Sequence, residues 1–277
     1  MAVRYILQCD ALHFCKSRRS KLKRHYASDV KSKQTRAIRS YMNVVYEDNH
    51  IIIVDKKPGE IVQGDKTGDT PLSETVKQWI KERHNKPGNV FLGVVHRLDR
   101  PVGGLVVFAK TSKALTRLNE MFRKGQVHKT YWALTRNLPP NTSDTLTHYI
   151  TTVERNNKSY ASPTEKEGSK EARLEYRLLG SSDRYHLLEV KLLTGRKHQI
   201  RVQLSAIGCP IRGDLKYGDK RSNPDCSISL LARSISFIHP VSGKEIHAVS
   251  SLADDPLWQA FAHLSPNSLS LNQPLTQ

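Results

Sequence analysis

The residues best suited to chemistry lie in one short charged run, His96-Arg97-Leu98-Asp99-Arg100. Apolar Val94-Val95 precedes the run, and Pro101, two glycines and an apolar segment from Leu105 to Ala109 follow it. This pattern predicts a strand, a tight loop and a second strand. The single carboxylate of the loop lies among cationic side chains, which favour its ionised form and attract an anionic polymer. Asp99 is therefore a candidate nucleophile, although such a run on its own is more often a surface cluster of ion pairs.

Arg196 and Tyr131 are the other candidate catalytic residues. Arg196 lies in a Thr-Gly-Arg turn between an apolar strand and a helix with an apolar face, where a buried guanidinium needs a carboxylate partner. We expect Asp99 to be that partner, and a local cap or an ion pair with Glu189 is the alternative. Tyr131 lies on an alternating strand and shares its face with Lys129. The ring could stack on a base or place a phenol near the nucleophile, whereas half-burial is the ordinary fate of a strand tyrosine.

The surrounding elements follow from hydrophobic periodicity. Helices are predicted over 71–84, 112–124 and 255–264, with a further helix after the Thr-Gly-Arg turn, and Thr70 is the predicted N-cap of the first. A short strand and turn are predicted over 44–50, and strands over 51–55, 126–135, 145–152, 171–179, 185–193 and 227–237. Mostly antiparallel strands with a few inserted helices indicate an α+β fold.

Charge and composition narrow the class of partner. The 277 residues carry a net charge of +18, so nucleic acid is the first partner to consider and an acidic membrane surface the second. The four cysteines form no CxxC or Cys/His cluster, which indicates a reducing compartment and no zinc site. No apolar run is long enough to span a membrane, and the first residues do not resemble a secretory signal.

Residues 1–41 differ from the rest of the chain. Eleven Lys or Arg stand against two acidic residues between Met1 and Ser40, so half of the net charge lies there. We interpret 1–41 as a basic, disordered arm, 42–264 as the catalytic domain and 265–277 as a disordered tail. The arm could be an RNA-binding tail, a mitochondrial transit peptide or a segment upstream of the true start at Met42, and we favour the last.

Four segments together resemble the RluA/RsuA-type pseudouridine synthases, most closely the RluA branch. They are the charged run with Gly104-Leu105 and Ala109-Lys110, Lys57-Pro58-Gly59, Lys129-x-Tyr131-x-Ala133-Leu134, and Leu193-Thr194-Gly195-Arg196-x-His198-Gln199-Ile200-Arg201. Weaker late matches are Gly213-Asp214, Tyr217-Gly218 and His239-Pro240. The resemblance covers about 44–248, and four motifs in order are far more specific than any one of them.

The resemblance implies a catalytic fold, an activity and a substrate. The fold is a mixed, mostly antiparallel sheet with flanking helices and a central cleft. The activity is isomerisation of uridine in RNA: the N1–C1′ bond breaks, the base turns and C5 rejoins the sugar. No redox step or group donor is needed, so no cofactor is expected. The target base must leave its stack, which a basic cleft favours.

The resemblance also implies roles for individual residues. Asp99 resembles the catalytic aspartate, Tyr131 the active-site tyrosine, and Arg196 the arginine that pairs with the aspartate. Arg97 resembles the arginine that enters the RNA when the base leaves. The remaining residues expected to contact RNA are His96, Arg100, Lys129, His198 and Arg201.

Two short segments depart from the family pattern. Val102-Gly103 stands where the family often has Thr-Ser, and Leu230-Leu231-Ala232 stands where a late strand often has Leu-His-Ala. Neither departure involves the three catalytic candidates, so both bear on substrate fit more than on chemistry.

Other function classes make different demands on the sequence. A retaining glycosidase needs a second carboxylate, and the four motifs contain none. A metal hydrolase could use His96, Asp99 and His198, but their neighbours are cationic. An RNA-binding or ribosome-assembly protein with little catalysis is the main alternative.

The expected partner is structured RNA, either ribosomal or transfer RNA, with no membrane partner and a monomeric protein. We expect no S4-type RNA-binding domain, because 1–41 is too short and too polar to form one. The expected compartment is the cytoplasm, or the mitochondrion if 1–41 is a transit peptide.

Overall fold

The computed structural model of the chain describes residues 42–264. The predicted arm (1–41) and tail (265–277) lie outside the described residues. The helices are α1 (Leu72–Arg83), α2 (Ser112–Arg123), α3 (Gln199–Ala206) and α4 (Pro256–Gln259), with 3-10 turns at Glu154–Asn156 and Leu215–Tyr217. The strands are β1 (Asn43–Glu47), β2 (Ile51–Lys56), β3 (Gly93–Val94), β4 (Gly103–Ala109), β5 (His128–Thr135), β6 (Ser143–Val153), β7 (Lys158–Ser162), β8 (Lys170–Ser181), β9 (His186–Leu192), β10 (Leu230–Ile238) and β11 (Glu245–Val249). None of these helices is both long and apolar enough to cross a membrane.

These eleven strands form one mixed sheet. Nine of them follow the order β1-β2-β4-β10-β5-β9-β8-β6-β7, while β3 pairs with β4 and β11 with β10. The β4–β10 pair is parallel, and the other pairings are antiparallel. The predicted α+β class and the mixed, mostly antiparallel sheet are confirmed.

The strands at the centre of the sheet are covered on both faces. Ile53 of β2, Val107 of β4 and Leu118 of α2 belong to one apolar cluster. Ile52 and Val54 point to the opposite face of β2 and are also buried. A strand covered on both faces needs no polar alternation, which explains the continuous apolar runs in β2 and β4.

One row of cross-strand partners connects the candidate loop to Tyr131. Gly104 of β4 lies opposite Ala232 of β10, and Ala232 lies opposite Tyr131 of β5. Neighbouring strands are about 4.8 Å apart, so Tyr131 lies two strands from Gly104, near the start of β4. The sheet register thus places Tyr131 two strands from β4, the strand that follows the Asp99 loop.

Gly104 permits this close approach. Its φ is +111°, and a Cβ built there would lie 2.4 Å from the carbonyl oxygen of Ala232 and 2.6 Å from its amide nitrogen. Both atoms belong to the backbone and cannot turn away. We expect Gly104→Ala to lower the free energy of unfolding by about 3 kcal/mol or more, because it adds a clash to a left-handed backbone. Chemical denaturation measures this loss.

Gly125→Ala is the matched control. Gly125 also has a positive φ, +70°, but a Cβ there would meet nothing within 4 Å. We expect this change to cost only about 1 kcal/mol. Equal losses in the two variants would contradict the close approach at Gly104.

Two helix predictions differ from the structure. Pro71, with an extended backbone, is the N-cap residue of α1, so Thr70 is not the cap. The last helix ends at Gln259, five residues before the predicted end at Leu264. Phe261 and Leu264 nevertheless pack against Trp132 and Leu187, so the periodicity in this segment reflects burial in a turn and not a continued helix.

Candidate active site

Asp99 lies in the loop between β3 and β4 and contacts α3. Its backbone carbonyl accepts a hydrogen bond of 3.0 Å from the amide of Val102, which closes the turn. Arg201 Nη1 donates to Asp99 Oδ2 at 3.0 Å, and His198 Nε2 lies 3.7 Å from the same oxygen. Among residues 42–264 no hydrogen bond reaches Oδ1, and the side chain is 30% exposed. One carboxylate oxygen is therefore held and the other faces solvent.

Arg201 is fixed from its other side by Asp214. Its Nε and Nη2 donate to the two carboxylate oxygens of Asp214 at 2.7 and 2.9 Å, a bidentate pair with strong orientational preference. Both side chains are buried. Burial alone would lower the pKa of Arg201, but the hydrogen bonds and charges of Asp214 and Asp99 raise it above its usual value. Arg201 is therefore a rigid cation between two carboxylates.

The predicted pairing of Arg196 with Asp99 is wrong. Arg196 is exposed, and its Nε donates to the carbonyl of Glu171 at 2.9 Å. Its amide donates to the Gln199 side chain, which orders the turn before α3. Arg201, which the sequence analysis placed among the RNA contacts, is instead buried against Asp99.

Tyr131 is buried and lies near enough to Asp99 for the charge of that carboxylate to act on its phenol. Burial raises the pKa of its phenol, and the negative charge of Asp99 raises it further. Tyr131 therefore carries a neutral hydroxyl throughout the physiological range. The structure brings Asp99 and Tyr131 together as predicted, and their catalytic roles remain a proposal.

The His96 side chain forms contacts within the protein instead of lying on the surface of the loop. Its Nε2 accepts a hydrogen bond of 2.9 Å from the amide of Val107, and its ring stacks on Phe122 with centroids 4.9 Å apart. Burial and the charge of Lys129 lower the pKa of His96 to about 3, so it is neutral. The expected RNA contact of His96 is replaced by a link between the charged run and β4, and Nε2 is not free for a metal ion.

Lys129 has no carboxylate partner among the described residues. Its ammonium lies 5.5 Å from the ring centroid of Phe122. Burial lowers the pKa of the Lys129 amine. A half-buried cation without a counter-ion is well suited to an RNA phosphate.

The two arginines of the charged run have different environments. Arg97 is exposed and, within 42–264, has no hydrogen-bond or ion-pair partner. Arg100 donates to Asp69 at 2.7 Å and to Thr67 at 2.8 Å, so its side chain holds the loop before α1. Arg97 is free to contact RNA, whereas Arg100 must first release these partners.

Lys56 is a functional candidate that the sequence analysis missed. It ends β2, is only 1% exposed, and donates to the carbonyls of Lys57 at 2.9 Å and Arg100 at 3.2 Å. Through the Arg100 carbonyl, Lys56 therefore stabilises the loop that carries Asp99. Burial lowers the pKa of Lys56 to about 8, although the charges of Glu60 and Asp99 oppose that change. The available sequence signal was a lysine close to the end of an apolar strand.

The lowered pKa of Lys56 predicts a pH dependence of stability. The unfolded chain retains this proton up to about pH 10.5, whereas the folded protein releases it near pH 8. Stability rises with pH wherever the unfolded state binds more protons. Relative to Lys56→Met, the wild-type free energy of unfolding should therefore rise by about 2 kcal/mol between pH 8 and pH 10. Denaturation of both proteins at each pH measures the difference, and a constant difference would contradict the buried charge.

No group of three or more His, Cys, Asp or Glu in the described part of the chain is arranged to hold a metal ion. What the arrangement offers is a carboxylate with one anchored oxygen, a neutral phenol and nearby cations. Such a site suits nucleophilic or electrostatic chemistry on an anionic substrate.

The chain is similar in sequence and in fold to known RNA pseudouridine synthases. Residues 50–206 match the family model of RNA pseudouridylate synthase. Ribosomal large subunit pseudouridine synthase C of Buchnera aphidicola is 32% identical over 219 residues, covering 76% of this chain and 67% of that protein. tRNA pseudouridine synthase C of Pectobacterium carotovorum is 30% identical over 226 residues, covering 74% of this chain and 57% of that protein. In fold, the chain is similar to human RNA pseudouridylate synthase domain containing 4, with a TM-score of 0.66 at 24% identity over 80% of this chain and 92% of that one.

Proposed function

Because the chain belongs to the RNA pseudouridylate synthase family and is an RNA pseudouridine synthase, we propose that it isomerises specific uridines of structured RNA with Asp99 as the nucleophile. The observation that carries this proposal is the anchored carboxylate. Arg201 holds Oδ2 at 3.0 Å, while Oδ1 faces solvent. A fixed, half-exposed carboxylate needs little reorganisation to attack either the ribose or the base.

Tyr131 and Arg97 complete the proposed mechanism. The neutral phenol of Tyr131 lies beside Asp99, where its ring can contact the flipped uridine and its hydroxyl can exchange a proton. Exposed Arg97 fills the space that the uridine leaves in the RNA stack. Lys129 contacts a phosphate near the target, so base and backbone are both held.

The proposed substrate class is ribosomal or transfer RNA. One relative is named a ribosomal large subunit pseudouridine synthase and another a tRNA pseudouridine synthase. The net charge of +18 supports a polyanionic partner. We propose a monomer acting in the cytoplasm, or in the mitochondrion if 1–41 is a transit peptide.

Pseudouridine mapping tests the proposed function. Total RNA from cells that lack the gene is incubated with purified full-length protein in two reactions, one with and one without chelator, and both without added nucleotide. Each is compared with untreated RNA. New pseudouridines at discrete positions of ribosomal or transfer RNA support the proposal. An unchanged map would favour an RNA-binding or assembly role, and activity lost only with chelator would favour a metal-dependent reaction.

A further inference from the structure

His198 connects Asp99 to a hydrogen-bonded chain that reaches the edge of the sheet. His198 is the buried N-cap residue of α3. Its Nδ1 lies 2.8 Å from the hydroxyl of Tyr217, and its Nε2 lies 3.7 Å from Asp99 Oδ2. The Tyr217 hydroxyl in turn accepts a hydrogen bond of 2.8 Å from the backbone amide of Ser159 in β7.

The Ser159 amide determines which His198 nitrogen carries the proton. A backbone amide can only donate, so the Tyr217 oxygen is its acceptor. The phenolic hydrogen then needs an acceptor in a buried site. The Ser159 side chain also lies near the phenol, but among the described residues His198 Nδ1, at 2.8 Å, is the side-chain acceptor within hydrogen-bond distance. A proton on Nδ1 would leave the phenolic hydrogen unpaired. The neutral imidazole therefore has its proton on Nε2, the nitrogen that faces Asp99.

Burial and the nearby positive charges keep the His198 imidazole neutral. Burial lowers the pKa of His198 to about 4, with Arg201, Lys216 and Lys197 acting in the same direction and Asp99 opposing them. Burial also raises the pKa of Tyr217, so the phenol keeps its proton. The Arg201 guanidinium lies 4.9 Å from the Tyr217 ring centroid and fixes the ring between α3 and β7.

We propose that His198 is a positioning residue for Asp99. Ser159 and Tyr217 hold the His198 Nε2–H donor toward Asp99 Oδ2, so that only Asp99 Oδ1 is left to react. At 3.7 Å the contact is too long to be a hydrogen bond in the free protein. Catalytic hydrogen bonds often shorten only when substrate is bound, and a movement of less than 1 Å closes this one. This inference rests on the proposed role of Asp99.

The backbone of His198 decides how it should be mutated. Its φ is +55°, in the left-handed region, where asparagine is among the residues best tolerated. His198→Asn therefore removes the imidazole without a large backbone penalty. In His198→Ala, by contrast, backbone strain would lower activity together with the loss of the imidazole, and the two causes could not be separated.

The tautomer of His198 is the first test, and it requires no activity. A ¹⁵N–¹H correlation spectrum of the histidine side chains in the wild-type protein at pH 7, assigned with His198→Asn, should show a protonated Nε2 and an unprotonated Nδ1. A proton on Nδ1, or on both nitrogens, would overturn the inference.

Kinetics provide the second test. Tyr217 is buried, and the hydrogen-bonded chain of Ser159, Tyr217 and His198 acts through Asp99. Tyr217→Phe should therefore lower kcat about tenfold or more while the KM for RNA stays unchanged. His198→Asn should lower kcat at least as much, and the double variant should fall no further, because the residues act as a unit. Tyr176→Phe is the control, since it removes an equally buried phenol whose hydrogen bond goes to the Asn141 carbonyl.

The outcomes separate this inference from the proposed function. Wild-type kcat in Tyr217→Phe, or independent additive losses in the double variant, would overturn the role of His198 if Asp99→Asn is inactive. Full activity in Asp99→Asn would overturn the proposed function itself, while the tautomer measurement would still stand.

Discussion

Asp99→Asn should abolish pseudouridine formation and leave the protein folded and able to bind RNA. Asparagine has nearly the same shape but a far weaker nucleophile, so we expect the single-turnover rate to fall by about 10⁴-fold or more. The fold should survive because Arg201 keeps its bidentate pair with Asp214. RNA binding should be unchanged or tighter, because a negative charge has been removed from a surface that faces a polyanion. Single-turnover assays and filter binding measure the two effects.

Asp183→Asn makes the same charge change at an exposed position in the turn between β8 and β9. It should retain wild-type rate and binding. Residual activity of Asp99→Asn within tenfold of this control would mean that Asp99 is not the nucleophile.

Arg201→Met should cost both stability and activity, whereas Arg196→Met should cost little of either. Removing Arg201 leaves Asp214 buried at 1% exposure without its cation, and breaking a buried ion pair in this way costs about 3 to 5 kcal/mol. The Asp99 carboxylate also loses the group that orients it, so the remaining folded protein should be inactive. Arg196 is exposed and donates to a single carbonyl, which predicts a loss below about 1 kcal/mol.

Thermal or chemical denaturation of the two variants measures the loss of stability, and their single-turnover rates measure the loss of activity. An inactive but stable Arg196→Met beside an active Arg201→Met would restore the pairing predicted from the sequence. To separate activity from unfolding, both rates should be measured at low temperature, where each variant is folded by circular dichroism.

Asp99 and Tyr131 could be predicted because local sequence determines their positions. Apolar strands on both sides of the charged run place Asp99 at the edge of a core, and strand alternation places Tyr131 and Lys129 on one face. The row from Gly104 through Ala232 to Tyr131 could not be predicted, since cross-strand register depends on pairings between segments more than 100 residues apart in sequence.

The choice of Arg196 instead of Arg201 has a specific physical origin. Helical periodicity identifies one apolar face of α3, and the polar residues opposite are then expected to face solvent. Both faces are covered: Arg201 is 5% exposed, and Gln203, 0% exposed, donates to the carbonyls of Leu146 and Ala172. Periodicity cannot distinguish a polar face in solvent from one buried against carboxylates and carbonyls.

The same limitation applies to His96 and Lys56. In a charged run or at the end of a strand, a polar side chain is first assumed to be exposed. His96 accepts from a strand amide, and Lys56 donates to two loop carbonyls. Such contacts depend on where unpaired backbone groups lie, which only the folded chain specifies.

The most direct test of the central claim is a crystal structure of the full-length protein bound to RNA that carries pseudouridine at a mapped target position. The proposed mechanism predicts the flipped nucleotide beside Tyr131, Asp99 Oδ1 within about 3.5 Å of its sugar or base, and Arg201 on Oδ2. A flipped nucleotide remote from Asp99, or Arg196 in place of Arg201 on the carboxylate, would contradict it.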